Sequence, residues 1–262
     1  MRSLAIASTG MLAQQLNVDV ISNNIANMNT TGFKRQRAEF QDMLYQTIER
    51  MGVSSSDQNT LIPTGIQVGS GVRPGSVYRI MAQGNLQPTE NSYDLGLEGR
   101  GFFRVRLPTG ETAYTRSGAF SLNGTGQIVT TDGYVVEPGI SIPDGTTEVT
   151  VNAQGQVFAK LAGSTTPTNV GQFDLANFAN EAGLDAQGSN LYLETPASGA
   201  AQLGTPGADG FASIRQGFLE LANVNAVQEI TSLITAQRAY EMNSKVISAS
   251  DEMLQMASRL SS

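Results

Sequence analysis

The two ends of the chain carry apolar residues at heptad spacing, and this constrains the fold more than any other feature. Near the N-terminus the repeat predicts a helix in an a/d register that ends before Asn29 and is capped by Gly32. Its stripe comprises Leu4, Ala7, Met11, Gln14, Val18, Ile21, Ile25 and Met28. The zone from about residue 218 onward also shows helical periodicity. One of its stripes comprises Leu233, Tyr240, Ile247 and Leu254, and a second comprises Met242, Val246, Met253, Met256 and Leu260.

The two C-terminal stripes lie about 130° apart on a helix that turns 100° per residue. One of them is sufficient to cover the N-terminal helix, so the other stays uncovered. Exposed apolar stripes favour association between molecules. We therefore predict that the terminal helices form a coiled-coil-like domain and that these stripes mediate self-assembly. An ordinary helical domain packed on a globular body is the alternative that periodicity leaves open.

The middle of the chain consists of short alternating apolar runs separated by turn dipeptides such as Asn123-Gly124 and Asp132-Gly133. Glu148–Val151 and Gln156–Lys160 flank a further predicted hairpin. Strands at this spacing are typical of a sandwich or open barrel of about 130 residues. Residues 46–75 have few bulky side chains, with short strands predicted at 61–62 and 66–68. They are either a surface loop or an extended hairpin that contacts neighbouring subunits.

These patterns predict an α+β protein with three regions. Residues 1–30 and 218–262 form the terminal helical domain, which we assign to polymerisation. Residues 31–77 form a linker and extended hairpin region. Residues 78–217 form an all-β outer domain.

Composition narrows the chemistry available to the chain. Histidine and cysteine are both absent, which removes imidazole and thiolate metal sites and the usual nucleophilic dyads. We expect no catalytic, cofactor or metal site. The net charge of −7 indicates that nucleic acid is not a partner. Since no apolar run approaches about 20 residues and residues 1–30 lack a signal-peptide pattern, we also expect neither membrane insertion nor a cleaved signal.

Two terminal motifs are more specific than periodicity. The first is SNNIANMNTTGFKR at residues 22–35, and the second joins ANVN at 222–225 to QRAYEMNSK at 237–245. Together they resemble the signatures of the bacterial flagellar rod and hook protein family, and the resemblance extends over nearly the whole chain. The signature residues are Asn23, Asn24, Ile25, Ala26, Asn27, Thr31, Gly32, Phe33, Asn223, Asn225, Gln237, Arg238, Ala239, Tyr240 and Asn243. The length and the stretch LIPTGIQVGSGVRP at 61–74 are most similar to members of the distal rod, with the proximal rod and the hook as alternatives.

The resemblance implies a subunit that polymerises helically into a rigid hollow shaft, which transmits torque from the motor to the hook. The terminal helices would line the channel through which other subunits are exported. Implied partners are other copies, other rod and hook proteins, the surrounding outer-membrane and peptidoglycan rings, and the flagellar type III export apparatus. The implied location is the basal body, in the part of the rod that crosses the periplasm. Alternatives from other classes are a cell-wall glycan-acting enzyme, which needs a pair of catalytic carboxylates, and an adhesin-like binding module.

Overall fold

A computed structural model describes residues 2–49, 65–164 and 166–260, so the strand predicted at 61–62 lies outside the described residues. The fold is α+β, with one long helix near each end of the chain and β structure between them. The chain divides into two compact units. Unit 1 comprises Met1–Ile25, Gln36–Tyr78 and Ala226–Ser262, and unit 2 comprises Ala26–Arg35 and Arg79–Asn225.

The helices are α1, Arg2–Ala26, and α2, Ala226–Leu260. α1 ends before Asn29, as predicted, but it stops six residues short of Gly32, which therefore does not cap it. The expectation that helical structure begins near residue 218 is wrong, because Phe218–Glu220 pairs as a strand with Leu86–Pro88. Among the described residues, no helix is both long and apolar enough to span a membrane.

Unit 1 also contains a β-ribbon that is two strands wide and is built from four strands. They are β1 Gln36–Asp42, β2 Tyr45–Glu49, β3 Ile66–Gly69 and β4 Val72–Arg79. β1 pairs with β4 and β2 with β3. Backbone bonds from Met43 to Gly71 and from Ser70 to Leu44 join the two pairs into one ribbon. The ribbon contacts α1 where the Val72 amide donates to the Thr9 hydroxyl oxygen at 3.3 Å.

Unit 2 is built mainly of short strands. They are β5 Leu86–Pro88, β6 Leu95–Glu98, β7 Phe102–Arg106, β8 Thr112–Thr115, β9 Phe120–Leu122, β10 Ile128–Thr130, β11 Val135–Val136, β12 Thr146–Val151, β13 Gln156–Leu161, β14 Thr168–Gln172, β15 Leu175–Asn177, β16 Asp185–Gly188, β17 Leu191–Leu193, β18 Gln202–Gly204, β19 Ser213–Gln216 and β20 Phe218–Glu220, with one 3₁₀ turn at Glu181–Gly183. The largest sheet runs β16-β17-β8-β7-β11-β10-β9, with β15 pairing both β7 and β18. β12-β13-β14 form a second sheet, which confirms the predicted hairpin between β12 and β13.

The hydrophobic core of unit 2 is organised around β7. Phe102 and Phe103 are consecutive, so they point to opposite faces of the strand and enter different clusters. Phe103 packs edge-on against Phe120 and Phe173, with ring centroids 5.0 and 6.1 Å apart. Phe102 packs edge-on against Phe178 at 5.8 Å. Unit 2 therefore buries Phe102, Phe103, Phe120, Phe173 and Phe178 in its core.

Candidate functional site

Small and polar side chains bring α1 and α2 together in unit 1. Three pairs of residues meet across the two helices: Ser3 with Ser250, Gly10 with Asn243, and Asn24 with Glu229. The two residue numbers of each pair add up to the same value, 253. A constant sum means that the helices run antiparallel in one register over this length.

These pairs belong to two lines of residues that we call the small-and-polar lines. The line on α1 is Ser3, Gly10, Asn17 and Asn24, and the line on α2 is Glu229, Ala236, Asn243 and Ser250. Members of each line are seven residues apart, so they share one face of their helix. Asn24, Glu229, Ala236 and Ser250 are all buried. The faces in contact are therefore made of small or polar residues.

The apolar stripe predicted on α1 lies beside this contact. Of its members Ile21 is buried, whereas Leu4, Met11, Val18 and Ile25 are half-buried. Met28 lies beyond the end of α1 and is 39% exposed. Ala7, which belongs to the stripe, is buried, and so are Ala13 and Val20, which lie outside it. The buried face of α1 is thus broader and smaller in side-chain volume than the predicted stripe.

The two stripes predicted on α2 have different environments. In the first, Leu233, Ile247 and Leu254 are half-buried and Tyr240 is 43% exposed. In the second, the described side chains are all exposed, while the Leu260 side chain lies outside the described residues. Three further exposed apolar residues lie outside the predicted stripe, although their spacing of three and four was a readable signal. We call the full set the outer stripe of α2: Val227, Ile230, Ile234, Met242, Val246, Met253 and Met256, exposed by 46–74%.

The ribbon carries a second exposed apolar surface at its β2–β3 end. This surface comprises Met43, Leu44, Tyr45, Ile48 and Ile66. Leu44 is 89% exposed. The pairing of β2 with β3 places Tyr45 opposite Gly69, and the tyrosine ring lies over the position that a Cβ of Gly69 would occupy. A two-stranded ribbon with uncovered apolar side chains is marginally stable by itself.

A cavity of about 360 Å³ opens between α1 and α2. It is lined by Gln15, Val18, Gln237, Tyr240 and Glu241. Among the described residues, no group of three or more acidic side chains is placed to hold a metal ion. The lining combines two amides, a phenol and a carboxylate with the apolar side chain of Val18.

Asn24 is the signature residue with the clearest role in unit 1. Its Oδ1 accepts from the Gln36 amide at 2.8 Å, and its Nδ2 donates to the Gln36 carbonyl at 2.8 Å and to Glu229 Oε2. One buried side chain therefore links α1 to α2 and to the first residue of β1.

The other N-terminal signature residues mark the turn after α1. Gly32 has φ +71°, and its amide donates to the Glu220 carbonyl at 2.8 Å. The Thr31 carbonyl accepts from Asn190 Nδ2 at 2.8 Å. Asn27 Oδ1 accepts from the Thr30 hydroxyl at 3.2 Å, and the Phe33 amide donates to the Thr30 carbonyl at 3.2 Å. These bonds fix residues 26–35 within unit 2.

The C-terminal signature divides between the two units. In unit 2, Asn223 Oδ1 accepts from the Arg35 amide at 2.7 Å, and its Nδ2 donates to the carbonyls of Ile80 and Ala82 at 2.8 Å. Asn225 precedes α2 and is exposed. On α2, Gln237, Arg238 and Tyr240 are exposed, and Ala239 and Asn243 are half-buried. Asn23 and Ala26 on α1 are exposed.

A buried ion cluster in unit 2 joins segments that are far apart in sequence. Glu220 Oε1 accepts from Lys34 Nζ at 2.6 Å and from the Gly84 amide at 2.9 Å, while its Oε2 accepts from Arg116 Nε at 2.9 Å. Arg116 also donates to the carbonyls of Gly99 and Gly101. Burial lowers the pKa of Lys34, and the Glu220 carboxylate opposes this shift. The cluster was not predictable from the sequence, because nothing local indicates that Glu220 pairs with these two cations.

Exposed apolar side chains on a two-helix unit favour association between molecules, which is typical of a structural protein. The helical unit is assembled from both ends of the chain and leaves large apolar side chains exposed. The β unit contains the buried ion cluster of Lys34, Arg116 and Glu220.

Comparisons with known proteins identify the family. Residues 4–34 match the model described as "Flagella basal body rod protein", residues 96–159 the "Flagellar hook protein FlgE/F/G D1 domain" and residues 215–260 the "Flagellar basal body rod FlgEFG protein C-terminal". Proteins named flagellar basal-body rod protein FlgG are similar from end to end. The Caulobacter vibrioides protein is 61% identical over 100% of both chains, the Agrobacterium fabrum protein 50% over 99% of both, and the Bacillus subtilis protein 41% over 97% of both.

The chain belongs to the FlgG family of flagellar basal-body rod proteins. It is a structural protein of the flagellar rod and not an enzyme, which removes the interpretation as a glycan-acting enzyme.

Proposed function

We propose that the chain is a subunit of the distal rod, which polymerises helically into a rigid hollow shaft. The outer stripe of α2 is the observation that carries the proposal. Its seven large apolar side chains are 46–74% exposed in the single chain. Fully burying one such side chain stabilises by about 1.5–3 kcal/mol. Packing against other copies supplies that burial, and head-to-tail contacts that do not close into a ring build a helical filament.

The proposed organisation has three parts. The helices α1 and α2 form a coiled-coil-like inner domain that lines the export channel, residues 31–77 form a linker and extended hairpin, and residues 78–217 form the outer wall. The antiparallel contacts between α1 and α2 support the first part. The exposed apolar end of the ribbon supports a role for residues 46–75 in axial contacts between subunits, through which the shaft is stiffened.

The proposed partners are other rod proteins and hook proteins along the axis, the outer-membrane and peptidoglycan rings around it, and the type III export apparatus. The proposed location is the basal body, with the rod crossing the periplasm and the chain exported without a cleaved signal. A proximal-rod or hook position is the alternative within the same structure. Labelled electron microscopy of isolated basal bodies distinguishes these positions.

Polymerisation through the outer stripe is tested with a matched pair of variants. Met253→Glu places a charge in the stripe, whereas Gln255→Glu adds the same charge at an exposed position outside it. Losing the burial of one methionine raises the critical concentration for filament formation about 10- to 100-fold. Sedimentation and electron microscopy of the purified proteins measure that concentration. The proposal fails if Met253→Glu assembles at the same concentration as the parent and Gln255→Glu.

A further inference from the structure

The apolar residues of α1 and α2 do not by themselves define one register. Leu4, Met11, Val18 and Ile25 repeat every seven residues, and so do Leu233, Tyr240, Ile247 and Leu254. Sliding one helix past the other by seven residues therefore places apolar residues against apolar residues again. Hydrophobic burial is nondirectional and roughly proportional to area, so it discriminates weakly between such arrangements.

The small-and-polar lines, in contrast, do not match equally well after a slip of seven residues. Asn24 Nδ2 donates to Glu229 Oε2 at 3.2 Å, and both residues are 1% exposed. A slip by seven residues in one direction places Asn24 opposite Ala236, and in the other direction it places Asn24 beyond the start of α2. Either slip separates this buried amide from the carboxylate, and breaking a buried hydrogen bond to a charged group is costly.

Two further contacts belong to this register: the close approach at Gly10 and the bonds that hold Asn24 to β1. At Gly10 the helices approach closely, and an added Cβ would lie 2.9 Å from Asn243 Nδ2 and displace the end of that side chain. Asn24 is itself held by two bonds to the backbone of Gln36, at 2.8 Å each. Because Asn24 is fixed to β1, the partner that it selects on α2 is fixed relative to the ribbon as well.

We propose that the buried polar pair Asn24–Glu229, seated in the small-and-polar lines, is the determinant that selects the antiparallel register of α1 and α2. In this register Arg2 lies opposite Asp251, so residues 252–260 extend beyond α1. A slip of seven residues would move this extension, with Met253 and Met256 of the outer stripe, by about 10 Å along the axis. The polar pair thus sets where α2 presents its outer stripe.

The chain contains no cysteine, so introduced cysteine pairs report the register without interference. Ser3→Cys with Ser250→Cys reports the native register, since the two hydroxyl oxygens lie 3.3 Å apart. Ser3→Cys with Ala257→Cys reports a slip of seven residues. The full-length protein is oxidised in dilute solution, and the intramolecular products are quantified by mass spectrometry.

In the parent background the native product dominates. Glu229→Leu lowers the ratio of native to slipped product about tenfold or more, because it removes a hydrogen bond to a charged group while leaving the Asn24–Gln36 bonds in place. Glu229→Gln retains an acceptor for Asn24 and keeps the ratio within about threefold of the parent. Val18→Ala, which reduces the apolar surface of α1 and leaves the Asn24–Glu229 bond in place, also keeps the ratio.

An unchanged ratio in Glu229→Leu would overturn the proposal. So would a fall in Val18→Ala as large as that in Glu229→Leu, because apolar packing would then select the register. Loss of both products in Glu229→Leu would show that the pair holds the helices together without choosing between registers, and it would overturn the proposal too. These outcomes concern the single chain in dilute solution, so they do not depend on whether the protein polymerises.

Discussion

Replacing Glu220 with glutamine tests how much unit 2 depends on its buried ion cluster. The Glu220 side chain is fully buried and contacts both Lys34 and Arg116, whose side chains are 1% and 4% exposed. Glutamine preserves the volume, but it removes the negative charge and turns an NH₂ group toward one of two cations. Two buried cations then remain without a counter-charge, and breaking a buried ion pair in this way costs about 3–5 kcal/mol.

That cost is a large fraction of the 5–15 kcal/mol typical of a folded domain. We expect Glu220→Gln to lower the melting temperature of unit 2 by roughly 6–20 °C, at about 2–4 °C per kcal/mol for a domain of this size. The chain has no tryptophan, so urea unfolding is followed by near-ultraviolet circular dichroism of its tyrosines. Glu98→Gln is the matched control, because its pair with Arg215 spans 3.6 Å between half-exposed side chains and contributes below about 1 kcal/mol. If both variants unfold within about 1 kcal/mol of the parent, the cluster does not stabilise unit 2 and the reasoning is refuted.

Two further perturbations act on unit 2. Burial raises the pKa of Tyr93, Tyr114 and Tyr192 above the ordinary value of 10.0, so the folded state keeps protons that the unfolded chain releases. Their contribution to stability is therefore complete below pH 10 and is lost as the pH rises above it. Tyr192→Phe should reduce that loss in urea titrations between about pH 9 and 11, and an unchanged pH dependence would contradict this assignment. Gly32→Ala should destabilise unit 2 by about 2 kcal/mol, because φ is +71° and the new Cβ would lie 2.8 Å from the Ser117 amide nitrogen. Gly124→Ala, where a Cβ meets nothing within 4 Å, should be near neutral in the same urea assay, and equal effects of the two substitutions would show that the conformation of Gly32 is not the cause.

The terminal helices were predictable because apolar residues at helical spacing leave a periodic signal in the sequence. The same signal led to Met242, Val246, Met253 and Met256, which the structure exposes. It failed for the contact between α1 and α2, since that contact runs along Ser3, Gly10, Asn17 and Asn24. Those residues also repeat every seven positions, but a search for apolar periodicity does not count them.

The β unit shows a different limit of sequence reasoning. Local turn chemistry and alternation predicted the hairpin of β12 and β13, because both of its strands and its turn lie within a few residues. The ion cluster was out of reach, because Lys34, Arg116 and Glu220 are separated by more than eighty residues at each step. Pairing between such residues is decided by the tertiary fold. The predicted start of the C-terminal helix was wrong for a related reason, because residues 218–220 pair with the distant strand Leu86–Pro88.

The two units differ in what they bury, and this predicts how they respond to assembly. Among the largest fully buried side chains, all belong to unit 2 except Glu229. Unit 1 buries mainly small residues, such as Ala7, Ala13 and Ala236, and exposes large ones. Ordering the backbone costs about 1–2 kcal/mol per residue, and small side chains offset little of that cost. In the monomer, peptides from α1 and α2 should therefore exchange amide hydrogens faster than those from β7, as measured by mass spectrometry, and assembly should slow them selectively. Equal protection of α2 and β7 in the monomer would show that the helical unit is already stable alone, and the exposed stripe would then need another explanation.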